Sequence, residues 1–356
     1  MLSLTIAEKI ISKNIGYTVR AGEYCEANVD FVFGHDGSAP MAIQLMEENK
    51  IEKVFNPNKI GFILDHNSPA PNSNVSNLHK MVKSFAEKNR CHFFNVGEGI
   101  CHQIILENGF ALPGTIVIGS DSHSCTYGAF NVFSTGVGST DLAMILATGK
   151  VWLRVPETIK IKITGKLPEG VYSKDLILYI IKQLKANGAN YKALEFCGDT
   201  LSYLSMDARF AISNMAVSVG AKTGLMVIDK KSIDWAKAHN ISFADSIYPD
   251  ENAEYIKVVE IDASQLEPQI AIPHNIDNVT SITELEGTNI DQAFIGTCAN
   301  GMLEDLEIAA GILKNKVVKP GVKLIVGPAT KKIYLEAVKK GIIEVLVKAG
   351  AIILPP

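Results

Sequence analysis

The sequence predicts an α/β protein built on mostly parallel sheets. Two observations carry that prediction. Short apolar runs alternate with segments of helical period along the whole chain. Several runs, such as 59–64 and 115–118, are largely apolar, as strands covered on both faces are, and a glycine or a polar cluster follows them. The 356 residues exceed what one simple core holds. The pattern divides into units at 1–155, 156–285 and 286–356.

The elements justify this in order. Thr5-Ile-Ala-Glu8 is a capping-box pattern that opens a short helix ending near Gly16. Residues 25–33 read as one strand ending in the polar knot Gly34-His35-Asp36-Gly37, before a helix over 40–48. The run 59–64 is a buried strand followed by Asp65-His66-Asn67. Leu78, Met81, Val82 and Phe85 recur at helical spacing within 75–88. A short strand over 93–96 leads through Gly97-Glu-Gly99 into Cys101-His102-Gln103 and an apolar helix. The strand at 115–118 runs into Gly119-Ser-Asp-Ser-His-Ser-Cys125, and Gly136-Val-Gly-Ser-Thr-Asp141 opens a helix over 142–148.

Pro156 marks the first boundary. Ile159, Ile161 and Ile163 alternate with Lys160, Lys162 and Thr164, the period of a half-buried strand. A helix from Ser173 to 186, a strand over 193–196 ending near Glu195, a helix over 206–219, a strand over 225–228, a helix over 233–238 and a strand over 255–261 follow. The polar stretch 267–287 reads as a surface linker. Strands over 292–295, 323–326 and 351–354 alternate with helices over 302–313 and 331–339. Such a last strand normally leads onward, so the third unit reads as cut short.

Composition narrows the function. At 47% apolar and 20% charged the chain is an ordinary globular one, and a net charge of −4 without Lys/Arg blocks argues against nucleic acid and anionic membranes. The N-terminus lacks a basic region followed by an apolar one, so a cytoplasmic protein is expected. Six cysteines stand at 25, 91, 101, 125, 197 and 298 with no CxxC pair, which argues against a disulfide framework. Cys91, His92, Cys101 and His102 lack the spacing of a zinc finger. Gly136-x-Gly138 lacks the third glycine of a dinucleotide fingerprint, Gly220-Ala-Lys222-Thr223 lacks the glycine before the lysine of a phosphate loop, and no G-x-S-x-G elbow exists.

Polar clusters after strands or opening helices remain: Asp65-His66, Cys101-His102, Asp121-Ser122-His123 and Cys298, with Glu195 in the next unit. Each histidine alone is more often structural. Converging in one crevice at strand carboxyl ends, they suit proton transfer.

These motifs, Ile63-Leu-Asp65-His66, Gly99-Ile-Cys-His102-Gln, Gly119-Ser-Asp-Ser-His123-Ser-Cys-Thr-Tyr-Gly128, Gly136-Val-Gly-Ser-Thr-Asp141 and Gly296-Thr-Cys298-Ala-Asn-Gly-Met-Leu-Glu-Asp305, occur in the order of the aconitase superfamily. The chain closely resembles its two-subunit members, the large subunits of 3-isopropylmalate dehydratase and homoaconitase. The resemblance implies an aconitase-like fold of three α/β/α domains around a central cleft, the third truncated. It implies a hydro-lyase that isomerises 2- and 3-isopropylmalate by removing and re-adding water, in leucine biosynthesis. Homoaconitase, a citraconate or 2,3-dimethylmalate hydratase, an inactive paralogue or an RNA-binding relative are the alternatives.

The resemblance also implies a 4Fe-4S cluster held by three cysteines, with Cys298 the first. The other two would form a CxxC beyond Pro356. By position, Asp65 and His66 match the donor to the leaving hydroxyl, His102 and Glu195 a pair that orients water, and Asp121 and His123 a third pair. Ser122 matches a substrate carboxylate contact, joined by His35 and Asp36 in the first loop, with His35 where aconitase has glutamine. Asn214 and Asn300 match asparagines near the cluster. The catalytic serine is expected on a swivelling domain that forms a separate small subunit, making a heterodimer.

Overall fold

The computed structural model describes residues 3–356. Strands β1 (Tyr24–Asn28), β2 (Phe31–His35), β3 (Ile60–Ile63), β4 (His92–Phe94), β5 (Ile116–Gly119), β6 (Phe133–Gly136) and β7 (Lys150–Arg154) occupy the first part of the chain. Five of them form a parallel sheet in the order β4-β3-β2-β5-β6, and β1 pairs antiparallel with β7 as a separate ribbon. The chain builds outward from β2 to β4, then returns to β5 on the other side. The order therefore reverses between β2 and β5, the position where open α/β sheets present a crevice at their carboxyl ends.

Next come β8 (Thr158–Thr164), β9 (Ala193–Cys197), β10 (Thr223–Leu225) and β11 (Lys257–Asp262), a parallel sheet ordered β10-β9-β8-β11. A hairpin, β12 (Gln269–Ala271) with β13 (Val279–Ser281), precedes a three-stranded parallel sheet of β14 (Gln292–Ile295), β15 (Lys323–Val326) and β16 (Ala351–Ile353). The mostly parallel α/β architecture expected from the sequence is the one observed.

Local chemistry explains the boundaries. Thr5 caps the helix Ile6–Ile15, its N–H donates back to Glu8 at 2.8 Å, and Gly16 ends the helix in the left-handed region. The alternating 158–164 segment is β8, with its isoleucines buried and Lys162 and Thr164 exposed. Other expectations are corrected. Residues 25–33 form two strands, not one, because Asp30 leaves the ladder and its carboxylate accepts from the Ile116 N–H at 2.9 Å. The helix foreseen over 206–219 ends at Asn214 and tightens into a 3-10 turn, Met215–Val219. The 267–287 stretch contains the β12–β13 hairpin rather than a plain linker. Strand β6, strand β7 and the helix Ile342–Lys348 were not anticipated. No helix among the described residues is long and apolar enough to cross a membrane.

Two joints bring the sheets to one place. The 3-10 segment Ser122–Phe130, which follows β5, lies against β10, where Met226 N–H donates to the Gly128 carbonyl at 2.9 Å. A Cβ at Gly128 would stand 2.0 Å from the Gly224 carbonyl oxygen, so only glycine permits this approach. The third sheet is tied to the first through Thr330. Ile100 N–H donates to Ala329 at 2.8 Å, Lys331 N–H to Glu98 at 3.0 Å, and the Thr330 hydroxyl to Glu107 at 2.8 Å.

The Gly128 contact yields a stability prediction. Gly128→Ala is expected to destabilise the chain by about 1–3 kcal/mol or more through forced overpacking. Gly311→Ala, in a helix with open space around it, is expected to stabilise by up to about 1 kcal/mol. Urea unfolding of the two variants checks this, and equal midpoints would contradict the packing argument.

Candidate active site

The loops after β2, β3 and β5, the start of helix Cys101–Glu107, the end of helix Met206–Asn214 and the turn after β14 meet at the reversal point of the first sheet. Asp121 is the meeting place. Its Oδ1 accepts from His102 Nε2 at 2.7 Å and from the His123 N–H at 2.7 Å, and its Oδ2 accepts from His66 Nε2 at 3.2 Å. Burial would raise the pKa of this carboxyl. Hydrogen bonds from His102 and His66 outweigh that and hold it well below the usual carboxylate range.

His66 lies between two carboxylates, with Nδ1 2.8 Å from Asp65 and Nε2 on Asp121. Both ring nitrogens face acceptors, so both carry protons. Burial opposes the charge, but the hydrogen bonds to Asp121 and Asp65 prevail, and the pKa is pushed up to about 10. Its side chain keeps 39% of its surface open, so the imidazolium can reach a bound molecule. Asp65 is steadied in turn by the Cys101 N–H at 2.7 Å.

The first loop does a different job from the one its position suggested. Asp36 is buried, and its oxygens accept from the N–H groups of Asp65, His66 and Asn67 at 3.1, 2.9 and 2.8 Å, from Asn67 Nδ2 at 3.0 Å and from His79 at 3.4 Å. It shapes the His66 loop and has no face left for substrate. His35 stacks on His66 with ring centroids 3.7 Å apart. Its Nδ1 accepts from Gly37 N–H, which leaves the Nε2 proton for the Ser120 carbonyl at 3.1 Å. Burial first, then the charge on His66, lowers its pKa, so it is a neutral ring against a charged one. Ser122 is exposed beside Asp121.

A second cluster centres on Asn214. Its Oδ1 is 2.9 Å from His123 Nδ1 and 3.8 Å from the Cys298 sulfur, while its Nδ2 donates to Thr126 at 2.9 Å. Cys125 donates to the Asn214 carbonyl at 3.3 Å. Cys298 follows Thr297, whose φ of 71° is in the left-handed region and turns the chain sharply out of β14. Asn300 donates to Asp305 at 2.9 Å, and its Oδ1 is buried without a partner among the described residues.

The expected pairings are partly redrawn. His102 pairs with Asp121, not Glu195, and its Nδ1 meets the Tyr127 hydroxyl at 3.4 Å. Glu195 accepts from the Ile6 N–H at 3.0 Å and from the Tyr255 hydroxyl, buried under the first helix. The Asp121 side chain grips the His123 backbone, and the His123 ring goes to Asn214. Tyr127 and His79 were missed. Both hold the site from below through contacts with no sequence signature.

The sulfur set bears on an iron–sulfur group. Cys298 is half-buried at the edge of this polar cluster. Cys125, pushed up to about 12 by burial, and Cys101, raised well above its ordinary value by burial and the charge of Asp65, are enclosed thiols. The described residues thus fit one thiolate corner of a cluster.

His66 gives a test with a fixed sign. Its folded pKa lies above the unfolded value of 6.5, so its contribution to stability is complete below 6.5 and is lost as pH rises through about 10. The C2 proton of His66 should titrate near pH 10 by NMR, and Asp121→Asn should lower that midpoint by about one unit or more. The wild-type advantage over His66→Gln in urea unfolding should shrink across the same window. A midpoint at the ordinary value would contradict the two-carboxylate cradle.

Comparison with known proteins places this geometry. Residues 8–356 match the model of the aconitase family (aconitate hydratase). The 3-isopropylmalate dehydratase large subunit 1 of Methanopyrus kandleri is 43% identical over 353 residues, covering 99% of this chain and 84% of the relative. A probable methanogen homoaconitase large subunit of Methanosarcina mazei is 46% identical over 331 residues, covering 93% and 84%. The 3-isopropylmalate dehydratase large subunit 1 of Thermotoga maritima is 46% identical over 356 residues, covering 99% and 84%. The holo-form of Thermococcus kodakaraensis aconitase X shares the fold, with a TM-score of 0.56 at 12% identity over 99% of this chain and 88% of that one. The match along nearly the whole length, together with the shared fold, shows that this chain belongs to the aconitase family.

Proposed function

We propose that the chain is the large subunit of a hydro-lyase that interconverts 2-isopropylmalate and 3-isopropylmalate through dehydration and rehydration. The observation that carries this is the exposed His66 imidazolium held between Asp65 and Asp121. Hydroxide leaves carbon poorly, and a positioned acid that protonates it as it departs lowers that barrier. The names of relatives that match along the chain, such as those of Methanopyrus kandleri and Thermotoga maritima, support the substrate. The Methanosarcina mazei relative supports homoaconitase as the second reading.

The residues take these roles. A base, on this reading a serine of a separate small subunit, removes the proton from the carbon next to the hydroxyl-bearing one. The electron pair forms the double bond, and the hydroxyl departs with the His66 proton as water. Rehydration runs the same transfers in reverse at the adjacent carbon. Asp121 and Asp65 orient His66, His102 and His123 complete the polar wall, and Ser122 meets a substrate carboxylate. Glu195 acts at a distance, by fixing the first helix. Cys298 would hold one corner of a 4Fe-4S cluster, flanked by Asn214 and Asn300. When bound, that group supplies a Lewis acid for the hydroxyl and a carboxylate. On this reading residues 1–155, 156–285 and 286–356 form three domains around the cleft.

The test is turnover. The intact protein, with all three expected cluster cysteines, is loaded anaerobically with iron and sulfide, mixed with a small subunit, and assayed with 2-isopropylmalate and, in parallel, homocitrate. Faster use of isopropylmalate is expected, and His66→Gln should lower kcat by about 10²–10⁴ with a smaller change in KM. Preference for homocitrate would move the assignment to the second reading. A His66→Gln variant with undiminished kcat would remove the proposed acid.

A further inference from the structure

Beside the His66 centre, a cavity of about 1150 Å³ runs from Ser122 along β6 and β7 to Lys222. No step above uses its far end. There Tyr191 stands with φ at 59°, a conformation that a bulky side chain seldom adopts. Its hydroxyl accepts from the Arg154 N–H at 3.2 Å, and its own N–H donates to Gly220 at 2.9 Å. Two cations lie over its ring, Arg154 Cζ at 5.1 Å and Lys222 Nζ at 4.8 Å from the centroid. Among the described residues neither has a carboxylate at ion-pair distance, whereas Lys150 on the same wall is tied to Glu26 at 2.5 Å. Asp141 is then the one acidic wall residue left to offset two positive charges. The helix Ser139–Thr148 also starts on this wall without a side-chain cap.

We propose that Arg154 and Lys222, held over Tyr191, form a binding site for a small dianionic acid, distinct from the His66 centre. The tyrosine ring presents both cations to the cavity and keeps them from folding onto the surface. A planar guanidinium and an ammonium that share one ring and one cavity suit a molecule with two negative groups. A dicarboxylate and a phosphate share that chemistry.

The site needs neither iron nor a partner, so its test is separate from that of the hydro-lyase reading. Trp152 lines the cavity and is 76% exposed, while Trp235, the other tryptophan, packs against Phe130 and Phe210. The full chain is titrated with malonate and, separately, inorganic phosphate, following tryptophan fluorescence, with Trp152→Phe as the spectral control. A saturable change with either anion is expected, and the tighter one names the ligand class. Arg154→Gln and Lys222→Met should each weaken binding about tenfold or more. Lys162→Met, paired with Glu260 outside the cavity, should leave it unchanged. Asp141→Asn should tighten it, an outcome that misfolding cannot imitate. No saturable change with either anion, a response matched by potassium chloride at equal ionic strength, or wild-type affinity in both cation variants would overturn the proposal.

Discussion

One carboxylate organises this site. Asp121 accepts from the rings of His66 and His102 and from the backbone of His123. Three segments that are distant in sequence are fixed by a single side chain. Its depressed pKa, held down by His102 and His66, and the raised pKa of His66, held up by Asp121 and Asp65, share the contact between the two side chains. Without that negative charge, Asp65 alone would stand against the burial that keeps its stacked neighbour His35 neutral, and the His66 pKa would fall.

The fold exists in part to keep this arrangement from relaxing. The reversal of strand order between β2 and β5 places the His35–Asp36 and Ser120–Asp121 loops side by side. Asp36 then binds three successive N–H groups of the His66 loop. The second sheet closes on the Ser122–Phe130 segment at Gly128, and Asn214 delivers its amide to His123 and Cys298. The third sheet is keyed through Thr330 to the turn before His102. The histidine–carboxylate cluster and the Cys298 sulfur are therefore supplied by different sheets and share a border at Asn214.

Much of this was legible in the sequence. Buried parallel strands announce themselves as apolar runs, and the period-two alternation of 158–164 is unmistakable. Asp65, His66, His102, Asp121, His123 and Cys298 stand just past strand ends or at helix starts, where α/β chemistry is done. What failed was pairing. Glu195 was matched to His102, yet it sits under the first helix with Tyr255. Nothing in spacing reveals which carboxylate meets which ring when the partners are 19 residues apart, as His102 and Asp121 are. Strand β7 was invisible for a related reason. It is stabilised by its antiparallel register with β1, with Trp152 opposite Glu26, and not by its own pattern. The hairpin β12–β13 is likewise a product of pairing between two three-residue strands.

The central claim is that Asp121 joins His66 and His102 into one unit. Nitrogen-15 NMR of the histidine side chains tests it directly. Asp121→Asn should shift the ring nitrogens of both His66 and His102 in one step, while His92, bonded to the Asn58 carbonyl, keeps its spectrum. Movement of only one of the two rings, or of neither, would contradict the shared carboxylate.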